Sequence, residues 1–159
     1  MTMCIVIDIN VFGSVFGSTN SNHDDYAPVQ AWVTEREGFV VMGGSQYLSE
    51  LKKSKQYYGV LIELSKKGRV IIVSTEVVDQ QQVQVEKLLA TSDCDDCHLI
   101  AIIRASGCRL ICSNDRRADK HLKNPDCYPG RQKPPSIYRS KHHKHLLRQE
   151  NIVRIRNAK

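Results

Sequence analysis

Cys4-Ile5-Val6-Ile7-Asp8-Ile9-Asn10 lies at the amino end of the chain. The residues before Asp8 are apolar without interruption and lack the alternation of a half-exposed strand. Residues 3–9 are therefore predicted to form a central strand covered on both faces. A carboxylate at the end of such a run is costly unless a cation or a set of donors holds it. Asp8 is thus the first residue on which function is read.

The next apolar runs are Phe39-Val40-Val41-Met42, which stops at Gly43-Gly44, then Val70-Ile71-Ile72-Val73, and Arg109-Leu110-Ile111-Cys112. Each is short, β-branched and bounded by glycine or polar residues, as strands are. Helical spacing separates them. Residues 24–34 carry Asp24 or Asp25 as a cap, Ser45 caps a helix to about Ser54, and a second runs from Lys55 to Lys67 and ends at Gly68. Ser74 or Thr75 caps a helix to about Ala90, and residues 95–105 form another with a broad apolar side, ended by Gly107. Asp115 leads into a short helix reaching Leu122. Strand alternating with helix predicts an α/β domain with a mostly parallel sheet.

The chain has 159 residues, 41% of them hydrophobic and 25% charged, which suits one globular domain with a sizeable core. No apolar run approaches the roughly 20 residues of a membrane span. No basic lead or cleavage site precedes the first strand, so the expected location is the cytoplasm. The six cysteines are then expected to be free, with Cys4 and Cys112 packed as small hydrophobes. Cys94-x₂-Cys97 and Cys108-x₃-Cys112 raise a zinc site, but the second pair lacks a knuckle turn.

The net charge is +6, and its excess lies late in the chain. Residues 124–135 hold four prolines and Gly130 and read as a linker after a domain spanning 1–123. Residues 124–159 are taken as linker and basic extension. Ser136–Tyr138 is expected as a last strand, His142–Gln149 as a helix, and residues 152–155 as an edge strand or loose chain. Arg131, Lys133, Arg139, Lys141, Lys144 and Arg148 are candidate phosphate contacts. Tyr128 and Tyr138 flank them and are candidates to stack on bases. A solvated charged face is the plainer reading of the same residues.

Open parallel sheets bind ligands beyond the carboxyl ends of their strands. Asp8 and Asp115 follow strands, Asp96 sits in the first turn of a helix, and Glu50 lies on the helix after Gly43-Gly44. Asp119 is one turn beyond Asp115. Carboxylates gathered at one edge cannot all ionise without a cation, and oxygen ligands select hard ions such as Mg²⁺ or Mn²⁺. Each acid also has a structural reading: a loop cap for Asp8, a solvated helix residue for Glu50, and helix N-terminal acids for Asp96 and Asp115. His98 reads as a packed or hydrogen-bonding side chain before it reads as a base.

In order and spacing, Ile5-Val6-Ile7-Asp8-Ile9-Asn10, Tyr47-Leu48-Ser49-Glu50-Leu51, Asp95-Asp96-Cys97-His98-Leu99-Ile100-Ala101 and Ile111-Cys112-Ser113-Asn114-Asp115 resemble the acid motifs of the PIN-domain nucleases over residues 3–123. The resemblance implies a three-layer sandwich with a mostly parallel central sheet between helices. It implies a Mg²⁺- or Mn²⁺-dependent endoribonuclease in which Asp8, Glu50, Asp96 and Asp115 hold the metal. Asn10 and Ser113 would orient them, and Asp119 is a candidate fifth ligand. RNA is the implied substrate. Small stand-alone PIN proteins resemble toxins of toxin–antitoxin pairs or defence nucleases, which implies an inhibitory partner protein and often a homodimer. The long basic segment after Pro125 departs from the pattern. A structure-selective DNA nuclease and a non-catalytic RNA-binding module are the alternatives.

Overall fold

The computed structural model describes residues 1–148 and 152–159. Five strands run parallel: β1 (Thr2–Ile7), β2 (Phe39–Gly43), β3 (Val70–Val73), β4 (Leu110–Cys112) and β5 (Ser136–Tyr138). Their spatial order is β3-β2-β1-β4-β5. A sixth, β6 (Ile152–Val153), pairs antiparallel with the start of β1. Cys4, Ile5, Val6 and Ile7 are fully buried, as their uninterrupted apolar run requires of a strand covered on both faces.

Among the described residues seven α-helices join the strands. α1 (Phe12–Phe16) and α2 (His23–Glu35) lie between β1 and β2, and α3 (Ser45–Lys52) and α4 (Lys55–Lys66) between β2 and β3. α5 (Thr75–Leu88) and α6 (Cys97–Ser106) lead into β4, and α7 (Asp119–Leu122) towards β5. The path steps outward from β1 to β3, then returns to the other side of β1 for β4 and β5. With right-handed crossovers, the first four helices cover one face and α5–α7 the other. The result is an α/β three-layer sandwich with a mostly parallel central sheet.

All ten residues of α6 are buried, since α5 packs over the side that the sheet leaves uncovered. Arg104 of this helix gives its guanidinium to two neutral side chains of α5, Gln81 (2.8 Å) and Gln84 (2.9 Å). The six cysteines are free. Cys4 and Cys108 meet across the core with their sulfurs 3.3 Å apart.

Several local expectations shift. α2 begins at His23, which puts Asp24 and Asp25 in its first turn where acids favour the helix dipole. The cap of α3 is Gly44, not Ser45. Gly44 has φ +88°, and a Cβ there would stand 2.5 Å from Val78 Cγ1, so only glycine fits. Ser45 instead directs its backbone N–H (2.9 Å) and hydroxyl (2.5 Å) to the Asp79 carboxylate. Gly107 ends α6 in the left-handed conformation, as its position predicts.

Residues beyond 123 add β5 to the sheet, and Tyr128 and Tyr138 are core residues. The Tyr128 hydroxyl donates to Leu122 O (2.7 Å) and that of Tyr138 to Asp25 O (2.7 Å). Neither ring is free to stack on a base. Lys141–Leu146 forms a 3₁₀ turn packed on α2, and Gln149 lies outside the described residues. No helix among the described residues is long and apolar enough to cross a membrane.

Candidate active site

β1 and β4 are neighbours whose chains leave in opposite directions, β1 towards β2 and β4 towards β5. Such a switch point opens a crevice beyond the strand ends. Asp8 follows β1 and Asp115 lies three residues after β4, so the two flank it.

Asp8 is 3% exposed. Its backbone N–H donates to Cys112 O (3.0 Å) and so ties the two strand ends together. Its Oδ1 accepts from the Asn10 N–H (3.1 Å), capping a 3₁₀ turn, while the buried Oδ2 has no partner among the described residues. Burial pushes the carboxyl pKa up to about 6, against the Asn10 hydrogen bond, and the charges of Asp96, Glu50 and Asp115 push it further up. Asp96 is also raised, first by burial and then by Asp115, Asp95 and Glu50. The four acids therefore share one electrostatic neighbourhood although they come from four separate segments.

Asp96 is the N-cap of α6 and is 9% exposed, whereas Asp95 beside it is exposed. Of the two neighbouring acids, Asp96 is the buried one. Its side chain makes no capping hydrogen bond, so the carboxylate is not consumed by the helix end. Glu50 accepts from Gln46 Nε2 (3.3 Å) and faces His98 Nε2 at 3.7 Å. Gln46 also meets His98 Nδ1 (3.1 Å) and accepts from Gln82 (2.7 Å). Burial holds His98 below the usual imidazole range, against the pull of Glu50. Gln46 thus bridges Glu50 and His98 in one hydrogen-bonded group. Tyr47, fully buried, donates its hydroxyl to Ile7 O at 2.5 Å and fixes α3 against the end of β1. From the sequence Tyr47 stands only as the first residue of the Tyr47-Leu48-Ser49-Glu50-Leu51 motif, which carries no sign of this contact.

Ser113 is buried, and its hydroxyl accepts from the Asp115 N–H (3.3 Å), shaping the turn that presents Asp115. Asn10 holds Asp8 through its backbone N–H, and its side chain is exposed. Asp115 accepts from the Arg117 backbone N–H (3.0 Å) and Nε (3.3 Å). A cavity of about 210 Å³ opens beside it, with Asp96, Asp115, Asp93, Asp95, Arg117 and His121 in its wall. Asp93 is held there by Lys120 (3.1 Å) and His121 (3.0 Å), which keep its pKa down at about 2.

Asp119 does not join this set. Arg139 Nη1 and Nη2 reach its two oxygens at 2.8 and 2.5 Å, and Arg139 Nε donates to Ser113 O at 3.2 Å. Asp119 is thus paired with a bidentate guanidinium, and Arg139 is turned inward. Lys141, another candidate phosphate contact, pairs with Asp24 at 2.6 Å. Arg131, Lys133, Lys144 and Arg148 are exposed. Asp119→Asn is expected to lower the urea unfolding free energy by about 1–2 kcal/mol, a buried-pair loss discounted for partial exposure. An unchanged unfolding midpoint would show the pair to be idle.

Among the described residues, no group of three or more His, Cys, Asp or Glu side chains stands in metal-holding geometry. The donors nevertheless suit a hard dication in kind, being anionic oxygens, one of them buried and unpartnered at Asp8. Comparison with protein-family models, with curated proteins and with solved structures gave no match.

Proposed function

We propose that the crevice is the active site of a Mg²⁺- or Mn²⁺-dependent endoribonuclease of the PIN-like kind, with Asp8, Glu50, Asp96 and Asp115 as its metal-binding acids. The observation that carries this reading is the Oδ2 of Asp8, buried at the switch point without a partner among the described residues, in a carboxyl whose ionisation the charges of Asp96, Glu50 and Asp115 oppose. A buried carboxyl with one oxygen unsatisfied and like charges around it is a cost to the fold, and such costs gather at functional sites.

The loose arrangement of the acids accords with this chemistry. Mg²⁺ is commonly held by one or two carboxylates, retained waters and the substrate's own phosphates, not by a closed protein cage. When bound, the dication would activate a water and neutralise charge developing at the phosphorus. The chain's own part is placement. Asp8 is fixed by β1, the Asn10 N–H and Cys112 O; Glu50 by Gln46 and His98; Asp115 by the Ser113 turn and Arg117. Burial of Asp8 and Asp96 excludes water from two carboxyls and strengthens any charge they meet.

The test is cleavage of matched RNA and DNA strands by the purified chain in Mn²⁺, Mg²⁺ or EDTA. RNA cutting that requires the metal and falls sharply in Glu50→Gln is the expected result. Metal-dependent cutting confined to DNA flaps would make the protein a DNA nuclease instead. No cutting of either polymer in any metal would overturn the catalytic reading.

A further inference from the structure

We infer that the protein has a second anion site, distinct from the acid crevice: a basic cleft at the opposite end of the sheet that grips the phosphodiester backbone of a nucleic-acid strand. The cleft measures about 830 Å³. It lies where β4, β5 and β1 begin, with Arg109 just before β4, Ser136 opening β5, and Val153 of β6 beside the start of β1. Asp8 and Asp115 follow the carboxyl ends of the same strands. The six residues of β1 put the two sites about 20 Å apart at roughly 3.3 Å per residue.

Five cations line the cleft: Arg109, Arg131, Lys133, Arg154 and Arg156. Among the described residues lining it there is no carboxylate. Arg109, Arg131, Lys133 and Arg154 are exposed, and among the described residues none of them makes an ion pair. Arg156 is held in place without being neutralised. Its Nη2 donates to Arg104 O (2.9 Å) and Gln132 Oε1 (3.3 Å), and Gln132 is itself anchored to Ile103 O (2.9 Å). All these partners are neutral, so the guanidinium is oriented while its charge remains for a ligand. Five like charges sharing one concavity repel each other unless an anion enters.

The lining selects among anions. Four of the five cations are arginines, whose planar fork matches phosphate oxygens in pairs. Among the described residues lining it there is no aromatic ring for base stacking, so the cleft is suited to a backbone and not to a base sequence. Folded acidic partners are held by aromatic and large apolar anchors at an interface centre; here the apolar lining is Met1, Val153 and prolines. The shape is concave, unlike a patch built to lie on a flat lipid surface. A flexible polyanion of repeating phosphates meets these conditions best.

The test is binding, read in EDTA so that the acid crevice plays no part. Fluorescent uridine and thymidine homopolymers are titrated with the full chain and with Arg109→Glu/Arg154→Glu and Arg131→Glu/Lys133→Glu. Lys55→Glu/Lys87→Glu, which changes the same charge elsewhere on the surface, is the control, and circular dichroism checks that each variant folds. Each cleft variant is expected to bind about tenfold or more weakly, and the slope of log affinity against log salt is expected to shrink by about 0.7 per lost contact. The readout is binding without metal and without cleavage, so failure of the catalytic reading leaves this result untouched. Equal losses in the control would reduce the effect to net charge and overturn the site. Unchanged binding in the cleft variants would overturn it too, as would tighter cleft-dependent binding of polyglutamate or phosphatidylserine vesicles.

Discussion

Asp8→Asn is expected to abolish metal-dependent cleavage and at the same time to make the metal-free protein more stable. Loss of a fixed charge from the crevice should reduce the rate by about 100-fold or more, the scale on which oriented stabilising groups in active sites are felt. The gain in stability has a separate origin. The folded protein holds the Asp8 carboxyl at about 6 against an ordinary 3.8, because burial and three neighbouring acids disfavour its ionised form. The folded state therefore binds the proton more tightly than the unfolded state does. Stability of the native chain should fall as pH rises from 3.8 towards 6 and then level off. At neutral pH the accumulated cost is about 3 kcal/mol. Asparagine carries no charge, retains a good capping oxygen for the Asn10 N–H, and should lack this fall. Thermal melts across pH in EDTA would show it. Added Mn²⁺ should raise the native melting temperature by binding the folded state alone, and leave that of Asp8→Asn nearly unmoved. A variant that still cuts RNA at the native rate would remove Asp8 from the site. A variant less stable than the native chain at neutral pH would show that the buried carboxylate is already satisfied.

Tyr138→Ala should be the most damaging single truncation outside the crevice. Tyr138 is fully buried on β5, its hydroxyl donates to Asp25 O, and its ring lies 6.1 Å from that of Tyr26 and 6.2 Å from the His143 imidazole. Truncation of a buried aromatic costs about 3–5 kcal/mol, which for a domain of this size lowers the melting temperature by about 10 °C. The next residue, Arg139, holds Asp119 and Ser113 O, so the loss would reach the turn that presents Asp115. Tyr138→Phe, which keeps the ring and drops only the hydroxyl, should cost about 1–1.5 kcal/mol. If Tyr138→Ala melted with the native protein, residues 136–138 would contribute nothing to the domain, and β5 would be an appendage.

The chain's strands and helices were legible because their signals are local. An apolar run such as Val70–Val73 or a glycine such as Gly107 acts on its own neighbours. The four crevice acids were legible for a related reason. Each sits at the end of a recognisable element, and a parallel sheet brings strand ends to one edge whatever the loops do. Their linear order thus carried most of their spatial meaning.

The roles of Asp119, Arg139 and Tyr138 could not be read that way. Asp119 stands one helical turn from Asp115 and looked like another crevice acid, yet a guanidinium 20 residues later claims both its oxygens. Lys141 finds Asp24 across 117 residues, and Cys4 finds Cys108 across 104. Arg109, Arg131 and Arg154 belong to separate segments, and only the pairing of β4, β5 and β6 around β1 sets them in one cleft. Local propensity and hydrophobic period, acting over a turn or a strand, determined from sequence alone the elements and the edge at which the acids gather. Which charges neutralise each other and which remain open to a ligand was decided by strand order and crossover handedness, because those settle which distant side chains meet.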